Sequence, residues 1–230
     1  MNLVITMAGK YTRFRDEGYK LPKYLLPWGD RSILSEMLTQ LGSTVVENVY
    51  LVANKEDEQF MGHVRKIMDA HNIPRQNLML VNDTSGQAET AYAAVKKFQP
   101  IKPVVFHNAD TILYKRNMAA IYCAVHEHDG FIDVFKSNNH AYSYVVEKDG
   151  RVSMISEKVL VSDLATSGLY GFASPQEFMN YYNGGQKYIS EIYKEMIADG
   201  KDIRIGSVHT ETDTIVLGTP QDYLKHSAGL

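Results

Sequence analysis

The sequence predicts a doubly wound α/β fold with a mostly parallel sheet, and three observations carry that expectation. Up to residue 110, short apolar runs alternate with longer segments whose apolar residues recur at helical spacing, which is the rhythm of βαβ units. The first apolar run opens into a long, basic, glycine-containing stretch, and open α/β sheets bind ligands at the carboxyl ends of such strands. From Gly130 the rhythm changes to closely spaced strand-like runs, as expected of a small mixed β insertion.

Residues 3–6 (Leu-Val-Ile-Thr) read as a buried first strand. After the basic stretch, Ile33, Leu34, Met37, Leu38 and Leu41 recur at helical spacing from near Ser32, and Gly42 closes that helix. Residues 49–53 form a second strand, and 56–71 an amphipathic helix with Phe60, Val64, Ile67 and Met68 on one face. A third strand spans 78–81, and Thr84-Ser85-Gly86-Gln87 leads into an alanine-rich helix, 88–98. The fourth strand, 103–107, ends at Asn108-Ala109-Asp110. In the second half, runs at 131–135, 142–147 and 152–155 are strands, with Lys148-Asp149-Gly150 as a hairpin turn. Ser167-Gly168 opens another strand through 172, a helix over 175–182 starts at Pro175, and a second helix spans 187–199 before Gly200. Late strands fall at 203–209 and 214–217, and Thr219 caps a final helix that begins at Pro220. No repeat and no Pro/Gly/Ser linker divides the chain, so 1–230 reads as one domain.

The stretch from Met7 to Pro27 holds Gly9 and Gly18 together with Lys10, Arg13, Arg15, Lys20 and Lys23. Glycine lets a backbone approach phosphate closely, so this is a natural anion site. Arg13 can offer a planar fork to phosphate oxygens and Lys23 a compact point charge. By charge alone a solvated surface loop explains it equally well. A formal net charge of −3 argues against general nucleic-acid binding and makes the basic loop a local feature. The single cysteine, Cys123, cannot form an internal disulfide, and its helical surroundings point to a core position in a reducing compartment. No apolar run approaches a membrane span and the N-terminus lacks a signal-peptide layout, so the expectation is a soluble, cytoplasmic protein.

Ala8-Gly9-Lys10-Tyr11-Thr12-Arg13, followed by Leu21-Pro22-Lys23, resembles the signature of the sugar-1-phosphate nucleotidyltransferase family, a loop A-G-x-G-[TS]-R with Pro-Lys further on. Tyr11 replaces the second loop glycine, and Tyr24 follows Lys23 where many members have proline. The resemblance implies a Rossmann-like, GT-A-like sheet, with residues 1–128 as the nucleotide-binding half and 129–230 as the acceptor-binding half. It implies that Arg13 holds the triphosphate and Lys23 neutralises the α-phosphate. Ala8, Gly9, Lys10, Gly86, Gln87, Ala88 and Asn108 would hold the nucleotide. Read locally, Gly86-Gln87-Ala88 is a helix start whose free amides can meet a base or ribose.

Asp110, at the end of the fourth strand, is placed either to cap the following segment or to hold Mg²⁺ beside a triphosphate, since magnesium takes one or two carboxylates plus substrate phosphates. The resemblance favours the metal role. Glu157-Lys158 alone is a charged pair at a strand end. With Ser162, Thr166 and Gly168-Leu169-Tyr170 it resembles the family's acceptor pocket, where the Glu binds acceptor hydroxyls and the Lys the acceptor phosphate; Val159 stands where members often have proline. Over nearly the whole chain, through Tyr188-Ile189-Ser190 and Leu217-Gly218-Thr219-Pro220, the likeness is closer to a short branch encoded for capsule and surface-polysaccharide synthesis. Where the broad family has a second metal aspartate, strict register places Val216. Asp213, on the opposite strand face unless a bulge intervenes, and Glu211 are the alternatives, or a single carboxylate with water and phosphates.

Most of the eight histidines read as surface residues, and Met61, Met68, Met79 and Met118 as core. Tyr142, Tyr144, Tyr181 and Tyr182 suit either an acceptor pocket or packing. The expected activity is Mg²⁺-dependent transfer of NMP from an NTP to a sugar 1-phosphate, with no nucleic-acid or membrane partner and a homo-oligomer allowed. A cytidylyltransferase acting on a phosphorylated alcohol or phosphonate is the near alternative. A GT-A glycosyltransferase is the alternative of another class, although Asn108 stands in the first place of its Asp-x-Asp motif. A non-catalytic nucleotide-binding regulator is a further one.

Overall fold

A computed structural model describes residues 1–228. In chain order the first half contains β1 (Asn2–Met7), α1 (Thr12–Asp16), β2 (Pro27–Trp28), β3 (Arg31–Ser32), α2 (Ile33–Leu41), β4 (Asn48–Asn54), α3 (Met61–Ala70), β5 (Leu78–Val81), α4 (Gln87–Phe98), β6 (Val104–Asn108), β7 (Thr111–Leu113) and α5 (Met118–Glu127). The second half adds β8 (Gly130–Lys136), β9 (Ser143–Lys148), β10 (Arg151–Glu157), β11 (Leu164–Phe172), α6 (Pro175–Tyr181), α7 (Ile189–Ala198), β12 (Ile203–Ile205), β13 (Thr214–Val216) and α8 (Pro220–Ser227).

One nine-stranded sheet organises the chain, in the order β5-β4-β1-β6-β11-β8-β12-β10-β9. Its first four strands are parallel. The chain winds from β1 outward through β4 to β5, then returns to lay β6 on the other side of β1. Such a reversal leaves a crevice at the carboxyl ends of the two strands, because their following loops part in opposite directions. β11 pairs antiparallel with both β6 and β8, so the expected insertion is continuous with the main sheet rather than a separate layer.

Both faces of the parallel part of the sheet are covered. Along β1, Leu3, Ile5 and Met7 pack with α2 and α3 residues such as Leu34, Met37 and Val64, while Val4 faces Ala88, Ala91 and Val95 of α4 on the other side. Residues of β4 and β6 alternate in the same way, as the two-residue side-chain period requires. Each buried Leu, Ile or Val contributes about 1.5–3 kcal/mol relative to exposure.

Several elements depart from the sequence expectation. The basic stretch is not one open loop: it folds into α1, a 3-10 turn at Lys23–Leu25 and the β2/β3 ribbon. The helix expected over 56–71 begins as a 3-10 run, Lys55–Phe60. β11 starts five residues earlier than expected, at Leu164, with a register shift between Thr166 and Tyr170, and β12 stops at Ile205. Cys123 is exposed, not in the core. α5 turns Met118, Ile121 and Val125 inward, and a residue two positions from Ile121 falls on the opposite side of a helix. Among the described residues no helix is long and apolar enough to cross a membrane.

Candidate active site

The crevice at the ends of β1 and β6 is where the predicted residues gather. Thr6 and Asn108 are register partners there. A cavity of about 330 Å³ is walled by Ala8, Gly9, Lys23, Gly86, Gln87 and Asp110. An adjoining cleft of about 550 Å³ is walled by Arg13, Glu157, Lys158, Thr166, Gly168 and Val216. Gln87, Asn108, Asp110 and Tyr188 line both spaces.

Lys23 Nζ lies 3.0 Å from Asp110 Oδ2 at the junction. The turn that presents Lys23 starts at Pro22, whose fixed φ suits it, and the Leu25 amide donates to the Pro22 carbonyl at 2.8 Å. Burial, the largest single influence, pushes the Asp110 carboxyl up; the Lys23 ammonium, with the Thr111 hydroxyl, offsets it, and the net direction is below the ordinary value. His107, on the preceding strand, is fully buried; Nε2 donates to the Thr111 carbonyl at 2.8 Å, which leaves Nδ1 without a hydrogen. Burial holds that imidazole below its usual range, in the neutral form. It is an exception to the expectation that most histidines lie at the surface.

The loop cations separate. Lys10 pairs with Asp83 at 2.5 Å and Arg15 with Glu56 at 2.8 Å, both outside the two spaces, so the structure does not bring Lys10 to the 330 Å³ cavity that Ala8 and Gly9 wall. Arg13 lines the cleft and makes no ion pair among the described residues. The loop backbone is tied to the end of β4, where Asn54 Nδ2 donates to the Ala8 carbonyl at 3.2 Å.

At the start of α4 the free amides expected from sequence are partly committed. The Ala88 amide donates to the Lys187 carbonyl at 3.0 Å, and Ser85 donates to Glu89 Oε2 at 2.6 Å. A Cβ on Gly86 would lie 2.3 Å from that Lys187 oxygen, so glycine lets the segment before α7 dock on this turn. Gln87 Nε2 donates to Asn108 Oδ1, which leaves the other atoms of both amides toward the cavities. Gly168, at φ 88, packs so closely that an added Cβ would meet Asn108 Nδ2 at 2.5 Å.

Across the cleft, Glu157 Oε2 accepts hydrogen bonds from Ser143 and from Ser190, the latter at 2.8 Å. Oε1 takes no hydrogen bond from these serines and lies 3.9 Å from Lys158 Nζ. Lys158, held at φ 56, donates to the Tyr188 hydroxyl at 3.2 Å and sits 5.0 Å over its ring. Thr166 Oγ1 lies 2.9 Å from the Tyr170 hydroxyl. Tyr142 lines the cleft, whereas Tyr144 is buried with its hydroxyl on the Asn139 carbonyl, and Tyr181 and Tyr182 pack elsewhere. Ser143, Ser190 and Tyr188 were not among the expected site residues; the last two entered only within the Tyr188-Ile189-Ser190 stretch of the family likeness.

The carboxylates are fewer than a two-aspartate metal site needs. β13 pairs with β7 without a bulge, Val216 against Thr111. Asp213 is therefore on the far side, bound to Lys115 Nζ at 2.8 Å and to Thr210 at 3.0 Å, and it does not meet Asp110. Glu211 accepts from Ser137 at 2.7 Å, also outside the cleft. Among the described residues no group of three or more His, Cys, Asp or Glu could hold a metal. Asp110 alone fits an ion that takes one carboxylate and fills its shell with phosphate oxygens and water.

A family model described as "MobA-like NTP transferase domain" matches residues 3–165. No curated protein matches the chain. Among solved structures, a nucleoside-diphosphate-sugar pyrophosphorylase from Vibrio cholerae RC9 superposes with TM-score 0.81 at 22% identity, covering 98% of this chain and 99% of that one. An inositol-1-phosphate CTP transferase from T. maritima gives 0.74 at 11% identity, covering 96% of this chain and 90% of that one. A putative glucose-1-phosphate thymidylyltransferase from Bacillus anthracis gives 0.77 at 14% identity, covering 99% and 93%. At these identities the likeness concerns the fold.

Proposed function

The chain belongs to the MobA-like NTP transferase domain family, and on that premise we propose that it moves a nucleoside monophosphate from an NTP to a small phosphorylated acceptor. The observation that carries this reading is the placement of Lys23 and Asp110 where the two cavities meet, with Arg13 and the Glu157-Lys158 pair on the cleft walls.

A phosphate oxygen of the acceptor attacks the α-phosphorus, a new P–O bond forms, and the bond from the α-phosphorus to the bridging oxygen breaks as pyrophosphate leaves. No covalent enzyme intermediate is needed; positioning and charge neutralisation carry the rate. Lys23 exchanges Asp110 for the α-phosphate as charge develops there. Arg13 spreads its guanidinium on the departing phosphates. Glu157, held by its two serines, accepts from acceptor hydroxyls through Oε1, and Lys158 leaves Tyr188 for the acceptor phosphate. Gly86, Gln87 and Asn108, with the Ala8-Gly9 backbone, seat the nucleotide. Asp110 would hold Mg²⁺, which when bound neutralises triphosphate charge.

A sugar 1-phosphate is the acceptor class we favour, in a cytoplasmic enzyme supplying activated sugars for capsular or other surface polysaccharide. The names of the Vibrio cholerae and Bacillus anthracis neighbours support that class. The name of the T. maritima neighbour supports a phosphorylated cyclitol or alcohol and CTP. Pyrophosphate release, screened with four NTPs against sugar 1-phosphates and phospho-alcohols, tests both. Release with one NTP and one acceptor class is expected. No release with any pair refutes the proposal and leaves the glycosyltransferase or the regulator.

A further inference from the structure

Tyr11 stands where the resembling signature has glycine, and its backbone keeps a glycine-like conformation, φ 40 and ψ 42. The left-handed region disfavours an L side chain, so something outside the loop must hold it there. Its hydroxyl reaches the 3-10 run after β4 and donates to Asp57 Oδ1 at 2.5 Å. The other oxygen, Oδ2, accepts from the Tyr24 hydroxyl at 3.0 Å. Asp57 is fully buried. Arg15 closes the network: one guanidinium nitrogen donates to the Tyr11 hydroxyl at 3.0 Å, and the group lies 4.5 Å over the Tyr11 ring.

The two tyrosines come from the two ends of the basic stretch, and each is joined to a cation of the site. The Tyr11 carbonyl accepts from the amides of Phe14 and Arg15, at 2.9 and 3.2 Å, and so starts α1, the short helix that carries Arg13. Tyr24 is the residue after Lys23 within one 3-10 turn. Asp57 and Tyr11 line neither cavity, so they act on a substrate only through these neighbours, whereas Tyr24 also lines the smaller cavity. An apolar residue could fill the Asp57 site without needing donors; the buried carboxylate takes its two side-chain hydrogen bonds from the two hydroxyls, with Arg15 3.8 Å from Oδ1 as counter-charge, which selects one placement of the loop and the turn.

We propose that Tyr11, Tyr24 and Asp57 form a positioning clamp, in which Tyr11 sets Arg13 against the leaving phosphates and Tyr24 sets Lys23 at the reacting phosphorus. The proposal rests on the nucleotidyl-transfer reading above. Tyr11→Phe and Tyr24→Phe each keep the ring and remove one hydroxyl. Titration calorimetry with the NTP and with inorganic pyrophosphate, alongside steady-state kinetics, separates the two arms. Tyr11→Phe weakens NTP and pyrophosphate binding about tenfold and lowers kcat by no more than that factor, whereas Tyr24→Phe lowers kcat about tenfold with binding within about twofold. In an Arg13→Ala background, Tyr11→Phe adds less than about twofold, because it acts through Arg13.

Variants that melt earlier yet bind and turn over like the wild type when folded overturn the clamp. So does an equal effect of both substitutions on both parameters. If the wild type binds NTP but releases no pyrophosphate with any acceptor, the transfer reading fails, and so does the Tyr24 arm. Pyrophosphate affinity then still decides the Tyr11 arm, which an unchanged value in Tyr11→Phe refutes. A wild type that binds neither NTP nor pyrophosphate overturns both readings.

Discussion

Lys23 Nζ and Asp110 Oδ2 are 3.0 Å apart, although 87 residues separate them in the chain. Their pairing brings a cation from the β1 loop to a carboxylate beyond β6, across the crevice that the strand order creates. Lys23→Ala is expected to lower turnover about 10²–10³-fold, the range seen when a group that stabilises transition-state charge is removed. Circular dichroism of the variant should match the wild type, and near-normal pyrophosphate release would sink the assignment.

The same pair has a pH signature. Asp110 titrates below its ordinary value of 3.8: burial raises it, and the Lys23 charge and hydrogen bond, with Thr111, bring it down below that value. A depressed carboxylate contributes stability that is present above the unfolded value and lost as pH falls through the folded one. The stability gap between wild type and Lys23→Ala, read by urea unfolding, should therefore be full at neutral pH and shrink below about pH 4. A gap that stays constant down to pH 2.5 assigns it to something other than this pair.

Divalent-ion dependence discriminates the two faces of β13. Val216 lines the cleft beside Thr111, and Asp213 is occupied by Lys115 on the far side. Val216→Asp should lower the half-saturating Mg²⁺ concentration about tenfold by adding a second carboxylate ligand. Asp213→Asn should leave it within about twofold. A large rise with Asp213→Asn would return that residue to the metal site.

Gly168→Ala meets two obstacles, a φ of 88 and the Asn108 amide 2.5 Å from the new methyl. The expected cost is about 1–3 kcal/mol of stability. Activity should fall as well, since Asn108 lines both cavities. Denaturant titration and pyrophosphate release on the same sample check the two parts.

Arg116 and Asp133 form a buried pair at 2.8 Å, and Arg116 also donates to the Asp213 carbonyl and to Thr214, fastening β13 to β8. Arg116→Met leaves a buried carboxylate without its counter-ion, at a cost of about 3–5 kcal/mol. Adding Asp133→Leu should recover much of that. Equal stability of the single and double variants, measured in urea, would refute the argument.

Much of the architecture was legible in the sequence because its evidence is local. Apolar runs set the four parallel strands β1, β4, β5 and β6 to within a residue or two, and helical spacing set α2 and α4, whereas α1 and the β2/β3 ribbon were not read. The Thr219-Pro220 helix start and the one at Pro175 were equally plain, as their signals lie within one turn, while the Ser174 cap came only with the structure. The turn of the β9/β10 hairpin was legible for the same reason. Helix 56–71 and β12 were less so, because backbone preference there yields to packing.

For the site, the sequence by itself determined which side chains could carry charge and where along the chain they stand: Arg13, Lys23, Asp110, Glu157 and Lys158. Only the tertiary structure decided which of them face each other. Lys10 and Arg15 carry the same charge as Lys23 but meet Asp83 and Glu56 instead. The Ala88 amide is taken by a carbonyl from the other half of the chain, and Tyr11 is matched to a buried Asp57 at a distance of 46 residues. Side-chain type is a local property, whereas pairing depends on strand order and register. That is why the cations were visible in the sequence and their division of labour was not.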